Sequence, residues 1–274
     1  KLDGFAPMAR VLHVDIDPAE VGKVCPANVS VVGDVKHVLR SLTEQLDGPL
    51  SIELWRKACS KLQQQHAWDY SPPHSAIYAP RFLRDLSVAM GPDGVIACDV
   101  GQHQMWVAQH CAIHHPQNHL SSGGLGTMGF GLPAALGAQL ARPGATVVNV
   151  SGDGSLMMNI QELATLIRYQ IPVKMVILDN QCLGMVRQWQ ELFLDARYSE
   201  THLWDNPDFT LVAEAFGVAG FRIWRQDQEA DAIQRLLTTD GPVLAHVMID
   251  PEANVWPFVP PGKDNSTMWK GAPK

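Results

Sequence analysis

Apolar residues along this chain fall into short runs separated by helical stripes. Val147-Val148-Asn149-Val150 and Val173-Lys174-Met175-Val176-Ile177-Leu178 are two such runs. Between them Ile160, Leu163, Ala164 and Ile167 stand at i, i+3, i+4, i+7, the template of an amphipathic helix. The spacing predicts strand–helix–strand, a parallel βαβ unit. From about Pro80 the alternation continues: helix 80–90, strand Val95–Val100, a long His-rich and Gly-rich segment, helix 133–141, strand 145–151, helix 156–170, strand 173–178 and helix 184–194. Helix 208–216, a short strand near 218–224, helix 227–238 and strand Val243–Ile249 follow. This pattern implies an α/β fold, a doubly wound parallel sheet with helices on both faces.

Earlier in the chain, residues 8–18 read as a strand ending in Asp-Ile-Asp-Pro, with a short helix or turn around Ala19–Lys23. A second strand, Val29–Val32, ends in Gly33-Asp34, and Val35–Leu46 places Val38, Leu39, Leu42 and Leu46 on one helical face. Residues 1–46 therefore read as the tail of a nucleotide-type α/β domain, too small to stand alone. Residues 47–79, with Gly48-Pro49, a helix over Ile52–His66 and Pro72-Pro73, read as a linker. Residues 80–250 form the main domain. The tail 251–274 carries three prolines between Val255 and Pro261 and cannot continue a helix or a central strand.

Bulk properties narrow the function. Of 274 residues 46% are apolar and 18% charged, as in a globular protein with a sizeable core, and a net charge of −7 without a Lys/Arg run argues against nucleic-acid binding. Five cysteines without a CxxC pair fit reduced thiols in a cytoplasmic protein. No stretch is long and apolar enough to span a bilayer. The chain begins at Lys1 and runs at once into strand-like sequence, so it reads as a piece whose start lies upstream.

Two polar motifs end the strands of the βαβ unit: Gly152-Asp153-Gly154 and, after 24 intervening residues, Asp179-Asn180. Each alone could be a turn. Together they fall at the carboxyl ends of neighbouring strands, where open α/β sheets bind ligands. A carboxylate and an amide oxygen converging beside glycines suit a hard cation such as Mg²⁺ next to a phosphate. Gly124, Gly126 and Gly129 match GxGxxG, but the residues before them, His114–Ser122, cannot be a buried strand, so a dinucleotide fingerprint is disfavoured. The segment reads instead as a Gly-rich loop opening the helix started by Pro133, with Met128 pointing inward or serving as a core methionine. The histidines at 103, 110, 114, 115 and 119 lack metal-ligand spacing, and most are expected as solvated loop or capping residues. His103 differs, because it follows a strand at the same sheet edge. Met185 and Trp189 share a helix face, either as a packing pair or as a pocket lining.

GDG–x24–DN resembles the thiamine diphosphate signature, which usually ends in Asn-Asn; here the first Asn is Asp179. GQHQMW (101–106), GGLGTMGFGLPAALGAQ (123–139), GDGSLMMNIQEL (152–163) and LDNQCLGMVRQWQ (178–190) resemble acetohydroxyacid synthases, also called acetolactate synthases, most of all the bacterial isozyme II catalytic subunits. HVDIDPAEVGK (13–23) with GDV (33–35) resembles the end of that family's FAD-binding middle domain.

The resemblance implies thiamine diphosphate, Mg²⁺ and FAD as cofactors. It implies Mg²⁺ on the side chains of Asp153 and Asn180 and on the main-chain oxygen of Cys182. Gln102, His103, Gly154, Ser155 and the loop Asn180, Gln181, Cys182, Leu183, Gly184, Met185 would flank the diphosphate. Gly126, Thr127 and Met128 would hold the aminopyrimidine, and Met128, Met185 and Trp189 would stand at the reacting centre, with Trp189 selecting the second substrate. Asp15, Ile16, Asp34 and Val35 would contact FAD, and Trp256–Gly262 would close over the site. The implied reaction is decarboxylation of pyruvate and condensation with a second 2-oxo acid, pyruvate or 2-oxobutyrate, in branched-chain amino-acid biosynthesis. The implied partners are a second catalytic subunit, as homodimer or tetramer, and a small regulatory subunit. The family's ring-protonating Glu belongs to an amino-terminal domain outside this sequence, so the chain alone is expected to bind cofactor weakly and not turn over. A related pyruvate oxidase, carboligase or decarboxylase, or a non-catalytic split-gene fragment, are the alternatives.

Overall fold

The two runs that flank the GDG helix lie side by side as β5 (Val147–Gly152) and β6 (Lys174–Asp179), paired in parallel with Val150 opposite Val176. The computed structural model describes Gly4, residues 7–72 and residues 74–272. Four more strands extend the sheet: β3 (Val95–Cys98), β4 (His119–Ser121), β7 (Ala219–Ile223) and β8 (Val243–Met248). The order is β4-β3-β5-β6-β8-β7 and every pair is parallel.

Side-chain alternation explains the layers. Ile96, Cys98, Val148, Val150, Val176 and Leu178 face one side. They pack with Phe82 and Leu86 of α3 (Ala79–Met90), Trp106 and Val107 of α4 (Gln102–His110), and Ile233 and Leu236 of α10 (Glu229–Thr238). Val95, Ala97, Val147, Met175 and Ile177 face the other. Their partners are Leu132 and Leu136 of α5 (Gly131–Ala141), Leu163 and Leu166 of α7 (Glu162–Arg168), and Phe209 and Ala213 of α9 (Phe209–Ala215). Burial on both faces is why these strands read as unbroken apolar runs. The doubly wound α/β expectation holds for this unit.

Three expectations need correction. The helix expected over 156–170 is two helices, α6 (Asp153–Leu156) and α7. Between them Asn159 turns its amide to the Gly129 carbonyl at 2.6 Å, tying the break to the Gly-rich loop. The His-rich segment contains α4, whose buried face mixes Gln102, His103 and His110 with Trp106 and Val107, so hydropathy hid its period. His110 is thus a buried residue rather than a solvated one, and His103, set apart by its place after β3, is buried too. Finally, His119–Ser121 does form a strand. It is an edge strand paired only to β3, so half-buried polar residues suffice. The loop 122–130 still separates it from α5.

By packing, the chain parts between Asp69 and Tyr70 and again between Val255 and Trp256. Tyr70 belongs to the sheet unit: its ring meets His110 edge-on at 5.7 Å and lies 4.0 Å beneath the Arg84 guanidinium. Pro73, half of the Pro-Pro pair read as linker, lies outside the described residues, as do residues 1–3, 5, 6, 273 and 274 of the terminal segments.

The other unit holds β1 (Leu12–Asp15) parallel to β2 (Val29–Val32), then α1 (Val35–Glu44) and α2 (Glu53–Gln65). Ala19–Lys23 makes turns rather than a helix. Asp34 caps α1, accepting from the Lys36 N–H at 2.7 Å. Neither helix has a buried residue, since two strands offer too little sheet to cover a helical face. Phe258 and Trp269 form an antiparallel bridge farther along. No helix among the described residues is long and apolar enough to cross a membrane.

Candidate functional site

The winding of the sheet fixes where a ligand can sit. From β3 the chain moves outward to β4, then returns to the opposite side of β3 to make β5. Loops leaving β3 and β5 therefore diverge, and a crevice opens beyond their carboxyl ends. A cavity occupies it, lined after β3 by Val100–His103, after β5 by Asp153–Ser155, and after β6 by Asn180 and Cys182–Met185, with Met128 added from the Gly-rich loop. Met185 and Val186 open α8 (Gly184–Phe193).

Asp153 is 2% exposed. Burial, then the neighbouring Asp179 carboxylate, push its carboxyl up to about 7, against donation from the Gly154 N–H and Asn206. The Asn206 amide reaches Asp153 Oδ2 at 2.8 Å. Asn180 Nδ2 donates to Gln102 Oε1 at 3.2 Å, while its Oδ1 accepts the Cys182 N–H at 3.3 Å and keeps a second lone pair. Burial pushes the Cys182 thiol up to about 11, which leaves it a poor nucleophile. Burial lowers His103 to about 4, and its Nε2 is buried without a partner among the described residues.

Glycines shape the crevice. A Cβ on Gly184 would collide with Gln102 Oε1 and meet Asn180 Nδ2 at 2.5 Å, and one on Gly154 would meet the Leu183 side chain at 2.9 Å. Gln181 takes a left-handed φ of 55°, which turns the chain back after Asn180.

These features suit a divalent cation beside a diphosphate. The buried Asp153 carboxylate and the Asn180 amide oxygen are hard oxygen donors of the kind Mg²⁺ takes. No group of three His, Cys, Asp or Glu side chains able to hold a metal exists among the described residues. His103 Nε2 offers a buried polar atom, without a partner among the described residues, in a cavity that Gln102, Asp153, Ser155 and Asn180 also line.

The expected residues do not all converge. Gln102, His103, Met128, Asp153, Gly154, Ser155, Asn180, Cys182, Leu183, Gly184 and Met185 line the cavity. Gly126 and Thr127 are exposed on the loop beside Met128, and Gln181 is half-buried off the cavity. Trp189 is 45% exposed, lies outside the lining and packs edge-on against Phe193 at 5.5 Å. In the other unit, Asp15, Ile16, Asp34 and Val35 stand together at the carboxyl ends of β1 and β2. Asp15 Oδ1 accepts the Asp17 N–H at 2.9 Å, and Ile16 and Val35 are exposed.

Several contributors escaped the sequence reading. Asn206 is one. Asp99 is another: its two oxygens accept the Gly129 and Gly131 N–H groups, each at 2.8 Å, and so hold the Gly-rich loop against the end of β3. It ends an apolar run at the ligand-binding edge, a signal that could have found it. Gln188 accepts the Val255 N–H at 2.9 Å and donates to the Val255 carbonyl at 3.1 Å, and Gln102 joins it at 3.0 Å. No spacing in the sequence announces that clamp.

The family described as "Thiamine pyrophosphate enzyme, C-terminal TPP binding domain" matches residues 99–247, and "Thiamine pyrophosphate enzyme, central domain" matches residues 1–42. The acetolactate synthase isozyme 2 large subunit of Escherichia coli (strain K12) is 55% identical over 268 residues, covering 98% of this chain and 48% of that protein. The acetolactate synthase large subunit of Parasynechococcus marenigrum is 44% identical over 98% of this chain and 44% of its own length. The probable acetolactate synthase large subunit of Methanocaldococcus jannaschii is 43% identical over 94% of this chain and 45% of its own length. The chain spans about half the length of the curated relatives it matches.

Proposed function

The chain belongs to the thiamine pyrophosphate enzyme family, and from that premise we propose that it supplies the diphosphate-binding part of an acetolactate synthase large subunit. The proposed reaction joins pyruvate, after decarboxylation, to a second 2-oxo acid in branched-chain amino-acid biosynthesis. The observation that carries the reading is the crevice at the switch point of the sheet, lined together by Asp153, Asn180 and a His103 whose Nε2 has no partner among the described residues.

Thiamine diphosphate (thiamine pyrophosphate), when bound, supplies the carbon nucleophile and electron sink that decarboxylation of a 2-oxo acid requires. The chain's residues have simpler tasks. Asp153 and Asn180, with the Cys182 carbonyl, would hold Mg²⁺. Gln102, His103, Gly154, Ser155 and the loop to Met185 would receive the diphosphate, since glycines there let backbone approach it closely. Gly126, Thr127 and Met128 would hold the aminopyrimidine, with Met128 as the apolar wedge. Met185 and Trp189 would face the substrates, and the segment Trp256–Gly262 would cover them. FAD would lie on Asp15, Ile16, Asp34 and Val35. The working enzyme would pair two or four catalytic subunits, take a small regulatory subunit, and act in the cytoplasm; its five free cysteines fit a reducing compartment.

Calorimetric titration with thiamine diphosphate, with and without Mg²⁺, tests the cofactor reading. Cation-dependent binding supports it, and its absence at millimolar ligand overturns it. Product identification after incubation of the full-length subunit, with its amino-terminal domain, with pyruvate tests the chemistry. Acetolactate supports a synthase, whereas acetaldehyde or hydrogen peroxide points to a decarboxylase or oxidase.

A further inference from the structure

Behind the cation-binding edge a polar line crosses three neighbouring strands. Asp179 ends β6, His246 lies on β8, and Arg222 lies on β7 opposite His246. His246 Nε2 is 2.7 Å from Asp179 Oδ2, and the Arg222 Nε–H points at His246 Nδ1 across 3.1 Å. The imidazole is 2% exposed, with Phe209 set edge-on against it at 5.2 Å. Asp208 Oδ1 lies 4.0 Å from Nδ1, beyond hydrogen-bond reach. Its partners are the Thr210 N–H and hydroxyl and Arg222 Nη2.

Chemistry decides where the ring hydrogen sits. A guanidinium donates and never accepts. Nδ1 facing Arg222 must therefore be the bare nitrogen, and Nε2 must carry the hydrogen and donate it to Asp179. The other Asp179 oxygen, Oδ1, accepts the Gln181 N–H at 2.8 Å, inside the turn that presents Asn180 and Cys182. Asp153 neighbours the Asp179 carboxylate, whose charge acts on it. We propose that His246, with its tautomer set by Arg222, is a positioning residue: it locks Asp179, and through it the Asn180–Cys182 turn and the Asp153 carboxylate, in the arrangement that receives the divalent cation.

The line also accounts for a departure in the sequence. Where the thiamine diphosphate signature usually has Asn, this chain has Asp179. A buried carboxylate needs a donor, and His246 supplies one. The inference rests on the reading of Asp153 and Asn180 as the cation site, and it adds residues that touch neither cation nor cofactor.

The test uses Mn²⁺ in place of Mg²⁺, with thiamine diphosphate present and bound Mn²⁺ read by electron paramagnetic resonance. His246→Phe keeps the ring and removes both hydrogen bonds. Lost outer-shell partners weaken metal binding roughly 10–100-fold, and that weakening is expected here. His246→Gln, with an amide N–H for Asp179 and an oxygen for Arg222, should restore affinity toward wild type. In an Asp179→Asn background, His246→Phe should cost nothing further. Wild-type affinity in His246→Phe, or an equal loss in both backgrounds, overturns the inference while leaving the cation site standing. No Mn²⁺ binding by the wild-type chain overturns the site and the inference with it. Should the Phe variant fail to fold, ¹⁵N spectra of wild-type protein labelled at histidine decide the matter, with His246→Gln giving the assignment. Hydrogen on Nε2 supports the proposal, and hydrogen on Nδ1 ends it.

Discussion

Asn206 holds Asp153: its amide nitrogen lies 2.8 Å from the carboxylate Oδ2, bringing a residue far along the chain onto the first residue of α6. The contact engages Oδ2 and fixes the direction of the carboxylate. Asn206→Ala removes the donor without emptying a core position, because Asn206 is only half-buried. Cation affinity in the presence of thiamine diphosphate should fall about tenfold, as for other lost outer-shell partners, with little change in thermal midpoint. An unchanged Mn²⁺ titration would show that Asn206 merely packs.

Asp153→Ala should abolish cation-dependent cofactor binding, because the diphosphate loses its bridge to the protein. Asp153→Asn is the sharper variant: it keeps the shape and the Gly152–Gly154 turn but removes the charge. Calorimetry should find the Mg²⁺-dependent part of binding gone in both. Retained Mg²⁺ dependence in either variant would move the cation elsewhere.

Gly184→Ala should be costly where another glycine substitution is not. The new methyl would overlap Gln102 Oε1 and Asn180 Nδ2, and Gln102 is pinned by Gln188 at 3.0 Å and by the Ala253 carbonyl at 2.9 Å. Overpacking of this kind destabilises by about 1–3 kcal/mol, and cofactor binding should be lost with it. Gly137, exposed on α5 with nothing within 4 Å of its would-be Cβ, is the control. Gly137→Ala should stabilise by about 1 kcal/mol. Denaturant midpoints of the two variants, moving in opposite directions, check the pair.

His110 should make the sheet unit acid-sensitive. Burial lowers its folded value to about 4, against 6.5 for the free side chain. Below 6.5 the unfolded chain takes up a proton that the folded chain refuses until about pH 4, so stability falls as pH drops through that window. Between pH 7 and pH 5 the loss from this one group is about 2 kcal/mol. His110→Gln should flatten that part of the profile, as measured by denaturant unfolding at both pH values. A profile as steep as wild type would place the sensitivity on another group.

Much of the fold was legible because the strands are buried on both faces. Val147–Val150 and Val173–Leu178 had to be long apolar runs, and helical stripes between them had to cover the sheet. The places that misled were those where buried residues are polar. The face of α4 is built from Gln102, His103 and His110 as much as from Trp106, so its period could not be read from hydropathy. The strand His119–Ser121 needed only one neighbour and carried no apolar signature. The break before α7 depends on Asn159 reaching the Gly129 carbonyl, a contact between residues 30 apart in sequence.

The candidate site divides the same way. The sequence alone determined which residues end the strands. Asp153, Asn180 and His103 follow apolar runs, and a parallel sheet puts all such ends on one edge. Local chemistry also fixed the glycines, since a loop that admits a ligand to its backbone needs residues without side chains. Only the tertiary structure decided which of these side chains share a cavity, leaving Trp189 outside it and bringing Met128 in. It alone brought Asn206 to Asp153, Asp99 to the Gly-rich loop, and Arg222 and His246 into line behind Asp179. Those contacts join residues 24 to 67 positions apart. No local period records such pairings, because strand order, not sequence distance, sets which ends become neighbours.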